Sequence, residues 1–300
     1  MARKDVAKWL RRIEDTFSGQ TGIVGEGMLK LEQREAELFK SLFNTFRGYV
    51  RLMDSFFGFY IETFEFIKKR QVRKWPDRVA VITAIHIPTL WRFRASYTVF
   101  WKGYFIDAVG LLRGVLENAL SIIALNKGVI TAKNAFLDIS EEKIKSGKVD
   151  WRETKLGRER TDNKIRDALL GNKSSLSDDT KQEFRGIFNL MHNSVHRSRI
   201  NILRYYVPWA RGEKPFPLMP VYDEDLASLY ANLSTFFAWI LTKTFPFLEI
   251  QSNEFAEDWR KRHKILDESF EESVGNLPKK AGRSWEEFIT KTFSARKLKK

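Results

Sequence analysis

The chain has no cysteine, so disulfides and thiolate metal sites are excluded and a reducing compartment is expected. Its eight prolines gather in a few places, and strand-like alternation of apolar and polar residues is scarce, which argues against a β-rich fold. There is no Walker-type glycine loop, no GxGxxG after a strand, no HExxH and no GxSxG. Triphosphate, dinucleotide, zincin and serine-hydrolase chemistry therefore have no motif to rest on. Internal repeats and low-complexity tracts are also missing. The first residues, MARKDVAKWLRRIED, are charged throughout and offer no apolar signal core. The longest uncharged run, Leu226 to Thr242, has 17 residues, the short limit of a membrane span. It carries Ser228, Asn232, Ser234 and Thr235 and reads as a buried bundle helix. No membrane partner and a cytoplasmic location are expected.

What is present is helical periodicity, and with hydrophobic residues at 43% the chain can bury a core. Residues 2–17 read as a basic amphipathic helix and 18–27, SGQTGIVGEG, as a glycine-rich break. Met28 to Trp75 reads as one long helix or two. Its Phe39, Phe43, Phe46, Val50, Met53, Phe57, Tyr60 and Phe64, at steps of three and four, predict a buried stripe. Asp77 to Asn126 carries two more helices, the first kinked or broken at Pro88. The second is so apolar that it must be central. Gly103, Asp107, Gly110, Gly114, Glu117 and Ser121 form a small-and-polar strip along it, and Arg113 and Glu117, four apart, can pair. Residues 127–181 are dense in both charges and read as an insertion with broken helices. Ser177, before Asp178 and Asp179, caps the next helix. Asp223 or Asp225 caps the Leu226–Thr242 helix, and 252–275 forms another amphipathic helix before a basic tail. The expected organisation is an N-terminal helical region, 1–75, a bundle, 76–250, interrupted by the insertion 127–181, and a C-terminal helix and tail, 251–300.

The net charge of +14 points to an anionic partner, although most of the excess is spread along the chain. The exception runs from Phe184 to Gly212, where Arg185, Arg197, Arg199, Arg204 and Arg211 occur with no acid and no lysine. At about 100° per residue, Arg185, Asn189, His192, His196 and Arg199 fall on one helical face, within roughly 80° of arc. Phe184, Phe188, Met191, Val195 and Ile202 make a separate apolar face. The polar stripe holds two of the four histidines in the chain. A group that titrates near neutrality beside a fixed cationic fork suits phosphate binding or phosphodiester chemistry. His192 and His196 have the helical spacing of two metal ligands, but the flanking arginines repel a dication, so neither a metal nor another cofactor is expected. The remaining chemistry is metal-independent RNA cleavage, with a histidine as acid or base and an arginine stabilising the developing charge. Two protomers packing such helices together would join both Arg185–His192 pairs in one cleft, so a homodimer is expected. The structural alternative is a polar network whose imidazoles are satisfied by neighbours.

Two segments resemble proteins of the HEPN superfamily (higher eukaryotes and prokaryotes nucleotide-binding), in particular a distantly related bacterial family of unknown function. In RASYTVFWKGYFIDAVGLLRGVLENAL, 94–120, the Arg-x-x-x-Glu pair is Arg113 and Glu117. In FNLMHNSVHRS, 188–198, the Ser-Val-His is Ser194 to His196. Order and spacing agree, including a variable insertion, and the resemblance covers about 94–245. It implies an all-α, HEPN-like helical bundle, here with long N-terminal helices and a C-terminal extension. It also implies an RNA-binding or RNA-cleaving protein, a toxin or phage-defence component whose protein partner or antitoxin is unidentified. Many active members carry an Arg, four to six residues, then His, which Arg185 and His192 match. The expected catalytic residues are Arg185, His192 and His196. Arg113, Glu117 and Asn189 form the expected polar centre, and Arg199 and Arg204 steer the nucleic acid. The alternative is a non-catalytic helical interaction protein with an internal Arg/Glu/His network.

Overall fold

A computed structural model describes residues 21–68, 77–131, 151–195, 207–212, 220–250, 254–275 and 279–293. Among them every regular element is helical, so the protein is all-α. The long helices are α1 (Thr21–Thr45), α2 (Arg47–Lys68), α3 (Asp77–Trp101), α4 (Phe105–Asn126), α5 (Trp151–Leu170) and α6 (Asp178–Val195). After a single turn at Val207–Ala210 come α7 (Glu224–Thr244), a 3₁₀ turn at Phe245–Leu248, α8 (Glu254–Gly275) and α9 (Lys279–Phe293).

Helix α4 is the centre, as its composition requires. It packs on α3, α5, α6 and α7. Leu112, Val115, Leu116, Ala119 and Ile123 are fully buried along it. Among the described helices α4 alone is long and apolar enough to cross a membrane, and 67% of that apolar window is buried inside the protein. The turn before it needs glycine: Gly103 has φ +85°, and a Cβ there would sit 2.7 Å from Leu38 Cδ1. At Gly114 the close neighbour is the side chain of Arg92 from α3, where an added Cβ would lie 2.9 Å from Nη1. Polar ties fix the α3–α4 register: Ser96 Oγ donates to Ala108 O at 2.7 Å, and Asn118 Nδ2 to Thr89 Oγ1 at 2.9 Å.

Several local readings change. Helix α1 starts at Thr21 and runs through Gly22, Gly25 and Gly27, so the break expected over 18–27 does not extend past residue 20. A helical glycine costs about 1 kcal/mol but does not forbid the helix. Pro88 sits inside an unbroken α3; Ala84, whose carbonyl loses its hydrogen-bond donor there, is exposed to water. The charged stretch contains one continuous helix, α5, because Ile165 and Leu169, one turn apart, are buried in the core that α4 centres. The aromatic stripe of α1 and α2 is buried at Val50, Met53, Phe57 and Tyr60, but Phe39 and Phe43 are exposed. Residues 2–17 and the basic tail lie outside the described residues.

Candidate functional site

The site is built where α6 crosses α4. Leu112, Val115 and Leu116 take the core side of α4, which turns Arg113 and Glu117 toward the seam with α6. Arg113 Nε donates to Glu117 Oε1 at 2.9 Å. Arg113 Nη1 lies 3.1 Å from His192 Nδ1 on α6. A guanidinium only donates, so Nδ1 accepts and the imidazole proton sits on Nε2. The side chains of Arg113 and Glu117 keep 28% and 23% of their surface exposed. The seam is therefore half-wet rather than a dry centre, because α6 covers the pair from one side only.

On α6, Phe184, Ile187 and Met191 are buried, while Arg185, Asn189 and His192 are exposed together on the opposite side. At 1.5 Å per residue, Arg185 and His192 stand about 10 Å apart along the axis. Asn189 makes no hydrogen bond with the Arg113–Glu117 pair. It lines, with Arg185, a groove of about 360 Å³ between α5 and α6. Arg166, Asp167, Lys181 and Phe188 also line that groove. Arg166 lies over the Phe188 ring, 5.9 Å from its centroid, a cation–π contact. Lys181 pairs with Asp178 at 3.4 Å, and Asp167 with Lys173 at 3.1 Å. Arg185 has no ion-pair partner among the described residues, so its charge is available to a ligand.

Arg166 and Lys181 are the cations that sequence reasoning missed. The signal for Arg166 was the apolar spacing of Ile165, Leu169 and Leu170, which packs α5 on α4, and Lys181 stands one turn before Arg185 on α6. His196, Arg199 and Arg204 lie outside the described residues.

The N-terminus of α6 is held from elsewhere in the chain. Ser177 Oγ accepts from Thr180 N at 3.3 Å, the expected cap. Glu287 of α9 accepts from Ser177 N at 2.8 Å and also from the Ser177 and Thr180 hydroxyls. Lys291 bridges Glu287 and Ser175 O, at 2.6 Å to each. Burial raises the Glu287 pKa, but these donors outweigh it and hold the carboxyl at about 2.

The other two histidines serve the core. His86 is fully buried, its Nδ1 lies 2.6 Å from Tyr60 Oη, which donates to the His86 carbonyl at 2.9 Å, and burial pushes its pKa to about 3. His263 stacks on Trp259, lies with Nε2 2.8 Å from Thr242 O, and is also lowered by burial. His192 is thus the histidine among the described residues that faces solvent.

Fold and site together define an all-helical protein with a basic, histidine-bearing helix face. No known protein family matches the chain, and no curated protein or solved structure is significantly similar to it.

Proposed function

We propose that the protein is an HEPN-like RNA-binding protein that cleaves RNA without a metal, acting as a toxin or phage-defence component. The observation that carries this reading is the 3.1 Å contact between Arg113 and exposed His192, on a helix face whose neighbouring polar residues are Arg185 and Asn189. An incoming phosphate oxygen competes for the Arg113 donor and releases Nδ1. That lone pair then takes the proton of the ribose 2′-OH as the 2′-oxygen attacks phosphorus. The P–O5′ bond breaks, and the same proton passes to the leaving 5′-oxygen. Arg185 stabilises the charge on the pentavalent intermediate. Arg166 and Lys181 hold neighbouring phosphates, and Phe188 offers a face on which a base can stack. Arg199 and Arg204 extend the same basic stretch, and His196 is a second imidazole for the proton transfers.

The test is cleavage of single-stranded RNA in excess chelator, with a 2′,3′-cyclic phosphate as product. His192→Ala should lower the rate about 100-fold or more. Binding should weaken steeply with salt, since it releases counterions from phosphate. A second reading is favoured by one observation: the guanidinium of Arg113 already has partners in Glu117 and His192, which is also how a purely structural network looks. Wild-type protein that binds no RNA at low salt and cleaves none in chelator would establish that reading, a non-catalytic interaction protein.

A further inference from the structure

Helices α1, α2 and α3 enclose a groove of about 710 Å³, distinct from the basic face of α6. An aromatic ladder lines it. Phe43 stacks on Phe39 at 6.1 Å, Phe39 meets Trp101 at 5.3 Å, Trp101 meets Tyr97 at 5.5 Å, and Tyr97 meets Phe57 at 5.3 Å. Phe39, Phe43 and Ile61 are nevertheless 46%, 39% and 44% exposed. Apolar surface left in water costs about 25 cal/mol per Å², which burial against a partner would recover. A Cβ placed on Gly58, in the same groove, would meet nothing within 4 Å, so there is room for a side chain from outside.

The charges on the groove select the occupant. Glu35 and Lys102 pair with each other at 3.0 Å. Asp54 on α2 and Arg94 on α3 line the same groove, are both exposed, and make no ion pair among the described residues. An acidic ligand would satisfy Arg94 and leave Asp54 repelled, and a basic ligand would do the reverse. A surface carrying the same acid and the same base, turned by a two-fold axis, satisfies both twice over.

We propose that this face docks a second copy of the chain, the Phe39–Phe43 edge of each copy entering the other's groove and Asp54 of each pairing with the partner's Arg94. The interface is independent of the RNA reading. It also differs from the α6-to-α6 contact expected from the sequence, since no residue of α6 lines the groove.

The experiment is sedimentation velocity on the full chain across a concentration series, at about 150 mM salt, where charges beyond about 8 Å are screened. The wild type should form a dimer. Asp54→Arg and Arg94→Asp should each weaken it about 10-fold or more, because each places like charges opposite one another. The double variant Asp54→Arg/Arg94→Asp should recover the dimer. Phe39→Ser should be monomeric while keeping the wild-type circular-dichroism spectrum, since Phe39 lies outside the buried core. The proposal is overturned by a wild type that stays monomeric up to roughly 100 μM, a concentration that would populate any dimer of micromolar affinity. A dimer indifferent to these substitutions overturns it as well, and so does a double variant that fails to recover.

Discussion

Arg113 holds its two partners with two different nitrogens: Nε serves Glu117 within α4, and Nη1 reaches across to His192 on α6. Arg113 and Glu117 were legible in the sequence because a charged pair on so apolar a helix must find a partner, and at i,i+4 the nearest one is itself. Whether the pair is dry was not legible, since that depends on how far α6 covers it. The exposure observed sets the energy. A dry pair that loses one member costs about 3–5 kcal/mol, and a surface pair at most about 1. Glu117→Ala should therefore cost about 1 kcal/mol, which lowers the melting temperature by roughly 2–4 °C in a chain of this size. A melting temperature equal to the wild type would show that the pair carries no stability. Phe39 and Phe43 teach the converse lesson. Their three-and-four spacing assigns them to the same stripe as Met53 and Tyr60, but spacing names a face and says nothing of what covers it. Arg166 had no signature of its own, because cations in a charge-dense stretch look alike until the helix beneath them is seen to pack, whereas Lys181 stands one turn before Arg185 on α6.

Helix α6 shows how an element can be legible while its support is not. Its start follows from Ser177 and two aspartates, and its two faces follow from the 100° step. The carboxylate that secures that start comes from Glu287, 110 residues later in the sequence, and no local pattern announces a cap supplied by another helix. Glu287→Ala should cost about 1 kcal/mol, the usual value of a lost cap. The pH dependence has a definite sign. The Glu287 carboxyl is held at about 2, below its ordinary 4.5, so the unfolded chain binds the proton more readily. The clasp contributes fully above pH 4.5 and its contribution is lost as pH falls toward 2. Urea titrations of wild type and Glu287→Ala should therefore differ at pH 6 and converge between pH 4.5 and 2. A difference that stays constant down to pH 2.5 would mean that the carboxylate charge is not what holds the clasp. α1 and α5 were harder elements to read. In α1 three glycines, and in α5 a high charge density, obscured helices that other parts of the chain stabilise by packing.

Across the whole molecule one core cluster runs from Leu42 to Ile289, so helices read as N-terminal and C-terminal regions contribute to the packing around α4. The all-helical class was legible because period-3.6 patterning runs the length of the chain. The way α8 and α9 join the core was not, since it rests on contacts between residues far apart in sequence. Trp259 Nε1 of α8 donates to Thr63 Oγ1 of α2 at 2.9 Å. Phe288 of α9 is fully buried, 4.6 Å from Phe184 of α6 and 6.2 Å from Phe236 of α7 by ring centroids, and Trp285 stacks on Phe236 at 4.3 Å. These contacts make α9 a wall of the core, placed directly behind the helix that carries His192. Phe288→Ala should leave a cavity and cost about 3–5 kcal/mol, lowering the melting temperature by about 10 °C. Unfolding should stay a single event, with tryptophan fluorescence and far-ultraviolet circular dichroism changing together, because the cavity opens inside the shared core. A variant whose main transition stays within about 2 °C of the wild type would show α9 to be an appendage, since the energy of its contacts would then be decoupled from the core.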